Sequence, residues 1–287
     1  MRESVGSIMK QTAKILLVVF LCLVNGFPAY AQSIPAITAE AAILMDLNTG
    51  EVLYGKQEHQ KRPPASLTKV MTGYLAAKHM LDREQFVTIS TFAAETGESS
   101  LDLKPDDVLS FEHLLYGALL KSANDACVAI AEYIAGSEEA FIDMMNLQAC
   151  LLGCANTKFK NTNGLPEENH YSSAYDLAVM TRAAMQNHTF AQIVQTKNHL
   201  VQWQDGRKLL VHNTNRLLRE YPGAIGVKTG TTNEAGQCLI AVAERDERKV
   251  VVVVLKSKNR FYDATVLLDY ALKEPFNSVI LSKETGI

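Results

Sequence analysis

The sequence predicts a mixed α/β fold of the α+β kind. One antiparallel sheet is formed from both chain ends and covered by helices, with an inserted, mostly helical lobe. Three observations predict it. β-prone runs flank a turn cluster near the start. Two longer β-prone runs flank a tight turn near the end. Between them, apolar residues recur at helical spacing.

Residues 40–56, EAAILMDLNTGEVLYGK, form the first hairpin, with Asn48, Thr49 and Gly50 as its turn. Residues 66–80, SLTKVMTGYLAAKHM, form a helix. Its apolar positions Leu67, Val70, Met71, Tyr74 and Leu75 follow 3.6-residue spacing. Pro63 and Pro64 impose an extended approach, which puts Ser66 at the N-cap or in the first turn. Four more helices fill the centre: 111–120, 125–136, 137–153 opened by Ser137, and 172–187. The runs QCLIAVAE and KVVVVVLKS flank RDER at 245–248. The second run is too apolar to face water on both sides. The segment RFYDATVLLDYALK closes the chain as a helix, with Val266, Leu267 and Tyr270 on one side.

The chain has 287 residues, 47% hydrophobic and 21% charged, which is ordinary for a globular protein. Its first thirty residues differ. Arg2, Lys10 and Lys14 precede ten apolar residues, Ile15 to Val24, and Ala29-Tyr30-Ala31 offers small residues where a signal peptidase reads. Residues 1–31 are therefore expected to be a secretory signal peptide, which places the mature chain outside the cytoplasm: in the cell envelope, in the periplasm or secreted. A membrane anchor is disfavoured, because ten helical residues rise only about 15 Å, half a bilayer core. Cleavage removes a net charge of +2 from a chain of −3. The mature chain carries no basic run and no second long apolar segment. Nucleic-acid binding and a transmembrane span are not expected.

Four cysteines remain after Cys22 leaves with the signal. Cys150 and Cys154 stand at i and i+4 of an expected helix, where disulfide geometry is strained. Cys127 and Cys238 lie in apolar stretches. All four read as structural, with one bridge left open. No Cys/His cluster has zinc spacing, and no metal or cofactor is expected.

Ser66 and Lys69 raise the question of chemistry. The bland reading is a helix cap. The other is a nucleophile and its base. Serine needs a group to take its proton, and lysine can do so only when neutral, about three units below its ordinary pKa. Burial and a second cation both push that way. Spacing of i, i+3 puts both side chains on one helix face, and the helix start offers free N–H groups to an oxyanion. The pattern alone is weak, since Ser7 to Lys10 repeats it inside the signal segment. Two further segments add weight. KSANDA holds Ser122 and Asn124 between two helices. GVKTGTTNEAG holds Lys228-Thr229-Gly230 at the expected end of a strand. Capping and turn formation are the bland readings of each. Ser-x-Asn is also common by chance, but Lys-Thr-Gly occurs once.

Ser-x-x-Lys, Ser-x-Asn and Lys-Thr-Gly, in that order, resemble the motifs of penicillin-binding proteins and serine β-lactamases. The stretches MDLNTGEVLYGKQEHQKRPPASLTKVMT, KNTNGLPEENHYSSAYDLA and RFYDATVLLDY resemble the low-molecular-weight D-alanyl-D-alanine carboxypeptidases of peptidase family S11. The resemblance covers about residues 36–275. It implies a β-lactamase/transpeptidase-like catalytic domain over 32–277 and a short tail over 278–287. It implies peptidoglycan stem peptides as substrate and β-lactams as inhibitors.

By the same resemblance, Ser66 forms an acyl-enzyme and Lys69 takes its proton. Ser122 relays a proton to the leaving amine, and Asn124 bonds Lys69 and substrate. Lys228 supplies the second cation, and Thr229 touches the substrate carboxylate. The backbone N–H groups of Ser66 and Thr231 form the oxyanion hole, and Arg260 helps seat the terminal carboxylate. Many relatives continue into a second β-rich domain and a membrane-gripping helix, for which residues 274–287 are too short. A β-lactamase is the nearest alternative, but the Glu-x-x-Leu-Asn loop is missing, although Glu167 and Glu168 stand nearby. A non-catalytic wall-binding module is the other alternative, and the three intact motifs disfavour it. His113 and His170 read as packing or surface residues.

Overall fold

The sheet begins where alternating residues can be buried on two faces at once. In the computed structural model, which describes residues 36–80 and 85–272, the strands and helices follow in this order. First come β1 Ala41–Asp46, β2 Val52–Lys56, a 3-10 turn Ala65–Thr68 and α1 Lys69–His79. Then come β3 Phe86–Thr88, α2 Thr91–Ala94, β4 Val108–Ser110, α3 Phe111–Tyr116 and a π-helical turn Gly117–Lys121. The helical lobe continues with α4 Asn124–Ala135, α5 Glu138–Leu151, α6 Ala174–Met185 and α7 His188–Gln195. The chain closes with β5 Asn198–Gln202, β6 Lys208–His212, α8 Leu217–Glu220, β7 Ala224–Thr232, β8 Gly236–Arg245, β9 Arg248–Ser257 and α9 Arg260–Leu272. The expected signal segment 1–31 and the expected tail 278–287 lie outside the described residues.

The main sheet runs β2-β1-β9-β8-β7 and is antiparallel throughout, so strands from both chain ends build it as expected. β9 is central. Its Val251, Val253 and Leu255 join the large core under the helical lobe, and Val250, Val252 and Val254 join a second core under α9. Burial on both faces explains a strand with no polar alternation. Asp263 locks the two chain ends together. It accepts from Thr38 N at 2.9 Å, Ala39 N at 2.8 Å and Ser257 Oγ at 2.6 Å. The β8–β9 turn places Asp246 and Glu247 at positive φ, the twist a two-residue hairpin needs.

Several local expectations change. The helix at 111–120 is α-helical only to Tyr116, and a π turn then delivers Ser122 in a left-handed conformation, φ 69°. The lysine-threonine-glycine segment lies inside β7, not at its end, and β7 is an edge strand of the sheet. Helix α5 stops at Leu151, so Cys154 lies beyond it and the two cysteines do not share one helix. Cys127, Cys150, Cys154 and Cys238 are all free, and Cys150 is exposed. In α9 the buried stripe is Ala264, Leu267 and Leu268, with Val266 and Tyr270 half-buried. Among the described residues, no helix is long and apolar enough to cross a membrane.

Candidate active site

Ser66 stands in the 3-10 turn that leads into α1, and the turn is held from two sides by glycines. A Cβ at Gly164, whose φ is +89°, would stand 1.9 Å from Ala65 O. A Cβ at Gly230 would stand 3.0 Å from Ser66 N. Only bare backbone at these two positions lets β7 and the 161–165 loop close on the nucleophile turn.

Lys69 opens α1 and is 0% exposed. Its Nζ donates to Ser66 Oγ at 3.1 Å, Asn124 Oδ1 at 2.7 Å and Asn163 O at 2.6 Å. Burial lowers its pKa to about 8, partly opposed by Cys127, Asp125 and Glu98. At pH 7 about a tenth of such a lysine is neutral, against less than a thousandth for an ordinary one.

Lys228 on β7 is also 0% exposed, and its Nζ donates to Thr229 O at 2.9 Å. Burial first, then the charge of Lys69, push its pKa well below the ordinary value. The sequence expectation is that burial and the second cation, Lys228, both depress Lys69; at Lys69 burial leads. The two amines compete for protons, and the three acceptors around Lys69 against one at Lys228 favour the proton on Lys69.

Ser122 and Asn124 enter from the other wall. Ser122 is buried and lines the cleft with Ser66. Asn124 starts α4, and its Nδ2 donates to Gly97 O at 2.9 Å, which aims Oδ1 at Lys69. Thr229 is buried, and its hydroxyl lies 2.7 Å from that of Thr214. Thr231 Oγ1 accepts from Arg260 Nη1 at 2.6 Å, and the same nitrogen donates to Gly230 O at 2.8 Å. Arg260 thus borders β7, while its Nε has no hydrogen-bond partner among the described residues.

All eight side chains expected from the sequence belong to this region. Ser66, Ser122, Asn124, Thr229 and Thr231 line a cleft of about 150 Å³, with Lys69 and Lys228 beneath it and Arg260 at the β7 side. Neither Glu167 nor Glu168 lines the cleft, and Glu167 Oε2 accepts from Asn161 Nδ2 at 3.2 Å. His170 packs behind the site. Lys160 N donates to its Nδ1 at 3.1 Å and its Nε2 faces Thr68 Oγ1 at 2.9 Å. His113 sits away from it, with Nδ1 3.0 Å from His199 Nε2.

Sequence reasoning misses three participants. The Asn163 carbonyl, which accepts from Lys69, is a backbone group without a side-chain signal. Thr162 holds it in place through Glu138 Oε1, at 3.0 Å from its N and 2.7 Å from its Oγ1. Glu98 lines the cleft from a loop that carries no motif.

Residues 29–259 match the peptidase S11 family model, D-alanyl-D-alanine carboxypeptidase. The chain belongs to that family. Membership makes it a serine D-alanyl-D-alanine carboxypeptidase of peptidoglycan metabolism. D-alanyl-D-alanine carboxypeptidase DacF of Bacillus subtilis is 38% identical over 280 residues, covering 93% of this chain and 72% of that protein. DacD of Salmonella typhimurium is 38% identical, covering 84% of this chain and 65% of its own length. Among solved structures, the Streptomyces K15 DD-transpeptidase aligns with TM-score 0.79 and 33% identity, over 83% of this chain and 98% of that one. The carboxypeptidase DacD of Francisella tularensis aligns with TM-score 0.79 and 31% identity, over 87% and 76%. The S11 fold therefore accounts for the five-stranded sheet and the helical lobe.

Proposed function

We propose that this chain removes the terminal D-alanine of peptidoglycan stem peptides through an acyl-enzyme on Ser66. The observation that carries the reading is the contact of a fully buried lysine with a serine hydroxyl: Lys69 Nζ to Ser66 Oγ, 3.1 Å, with a lysine pKa of about 8. Neutral Lys69 takes the proton as Ser66 Oγ attacks the carbonyl of the penultimate D-alanine. The oxyanion rests on the N–H groups of Ser66 and Thr231. Ser122 passes a proton to the departing D-alanine amine, and water then releases the shortened peptide.

The terminal carboxylate of the substrate binds on the β7 side, near Lys228, Thr229, Thr231 and Arg260. An anion there raises the proton affinity of Lys228. The proton shared by the two amines then shifts to Lys228, and Lys69 becomes the free base. The outer edge of β7 offers backbone groups to an extended peptide. β-Lactams, which mimic the acyl-D-Ala-D-Ala group, acylate the same Ser66.

Residues 1–31 act as the export signal, 32–277 form the catalytic domain and 278–287 a short tail. The test is Ser66→Ala assayed on diacetyl-L-Lys-D-Ala-D-Ala. D-alanine release falls by about 10³-fold or more. Release that survives the change contradicts the mechanism.

A further inference from the structure

The cleft holds one charge that acyl transfer does not use. Glu98 lines it on the wall that carries Ser122 and Asn124. Its carboxylate is exposed and enters no ion pair among the described residues. The other titratable groups of the site, Lys69, Lys228 and Arg260, are all bases. Glu98 also acts against the base, since its charge favours protonated Lys69. A helper of Lys69 would have the opposite sign.

The position of Glu98 is built. Asn124 N donates to Ser99 O at 2.7 Å and Asn124 Nδ2 to Gly97 O at 2.9 Å. Ser99 Oγ donates to Lys121 O at 2.9 Å. Glu98 is therefore bracketed by residues stapled to the wall that bears Ser122. Its φ is +67°, a left-handed conformation that residues with a side chain adopt at a cost. Among the described residues lining the cleft, Glu98 is thus the single carboxylate, held by its backbone on the wall facing the basic groups of β7.

We propose that Glu98 forms a subsite for an ammonium group of the substrate, the free side-chain amine of a diamino acid preceding the D-Ala-D-Ala pair. This deepens the carboxypeptidase reading and rests on it. The terminal carboxylate goes to the β7 wall, and the reacting carbonyl goes to Ser66. The two D-alanines carry only methyl side chains. The next side chain along the peptide is the first that can bring a cation to the opposite wall.

The experiment compares Nα-acetyl-L-Lys-D-Ala-D-Ala, with its amine free, against the Nα,Nε-diacetyl peptide. Wild type prefers the free amine by about threefold in kcat/KM, the scale of a solvent-exposed ion pair. The preference shrinks in 0.5 M salt, where screening is strong. Glu98→Gln brings the ratio to about one and Glu98→Lys inverts it. Equal use of both peptides by wild type overturns the subsite, and so does an unchanged ratio in Glu98→Gln. A variant that changes both peptides by one factor, with a shifted pH profile, also overturns it, because Glu98 then acts only through Lys69. Cleavage of neither peptide by wild type rejects the carboxypeptidase reading and the subsite with it.

Discussion

Lys69 and Asn124 meet beneath the nucleophile, Nζ to Oδ1 at 2.7 Å, and so join the first turn of α1 to the first turn of α4. The bond is to a neutral amide. A carboxylate in its place would hold the lysine proton far more tightly. The neutral partner and complete burial together keep the amine near a working range.

Acylation by a β-lactam therefore rises with pH until Lys69 is neutral. The second-order rate constant climbs up to about tenfold per pH unit below 8 and levels above it, as a base of pKa about 8 requires. Asn124→Asp moves the inflection up by about one unit or more. Stopped-flow acylation between pH 6 and 10 checks both. A flat profile in wild type speaks against Lys69 as the base.

Two glycine substitutions produce graded losses. Gly164→Ala drives a methyl group to 1.9 Å from Ala65 O and adds strain at φ +89°. It costs about 2 kcal/mol or more of stability and displaces Ser66. Gly230→Ala makes a milder contact, 3.0 Å from Ser66 N, and lowers acylation by about tenfold with little change in stability. Thermal melts and penicillin-binding rates separate the two effects. Equal losses at both sites would argue against the clamp.

His170 makes stability depend on acid. Burial lowers its pKa to about 4 from the usual 6.5, and Lys160 N donates to its Nδ1, so the proton sits on Nε2. Between pH 6.5 and 4 the unfolded chain binds a proton that the folded chain refuses. Stability is therefore full above pH 6.5 and falls through that window, by about 3 kcal/mol in total from this group. Urea melts of wild type and His170→Gln across pH 4 to 7 measure it. The variant loses less stability on acidification, and parallel curves would contradict this assignment.

Much of the site is legible because its chemistry lies in side chains at short, fixed spacings. Ser66 and Lys69 are one helical turn apart. Ser122 and Asn124 bracket a helix break, and the lysine-threonine-glycine segment is unique. The sheet is legible too, because β8 and β9 are long and flank a tight turn. Other parts act through backbone or through the fold. The Asn163 carbonyl gives no side-chain signal, and the Glu98 loop gains meaning only when folded against α4. The π turn before Ser122 has no pattern distinct from an α-helix. The β5–β6 hairpin is different. Asp205-Gly206 between LVQW and KLLV is a hairpin signal that the sequence does carry. The short β3 and β4, three residues each, are below what periodicity can reveal.

The central claim is that Ser66 is the acylated nucleophile. Mass spectrometry of the penicillin-treated protein, with the adduct mapped to a peptide, tests it most directly. The account predicts one penicilloyl group per chain, on the peptide that contains Ser66, and none in Ser66→Ala. An adduct on another residue, or an unlabelled wild-type chain, would contradict it.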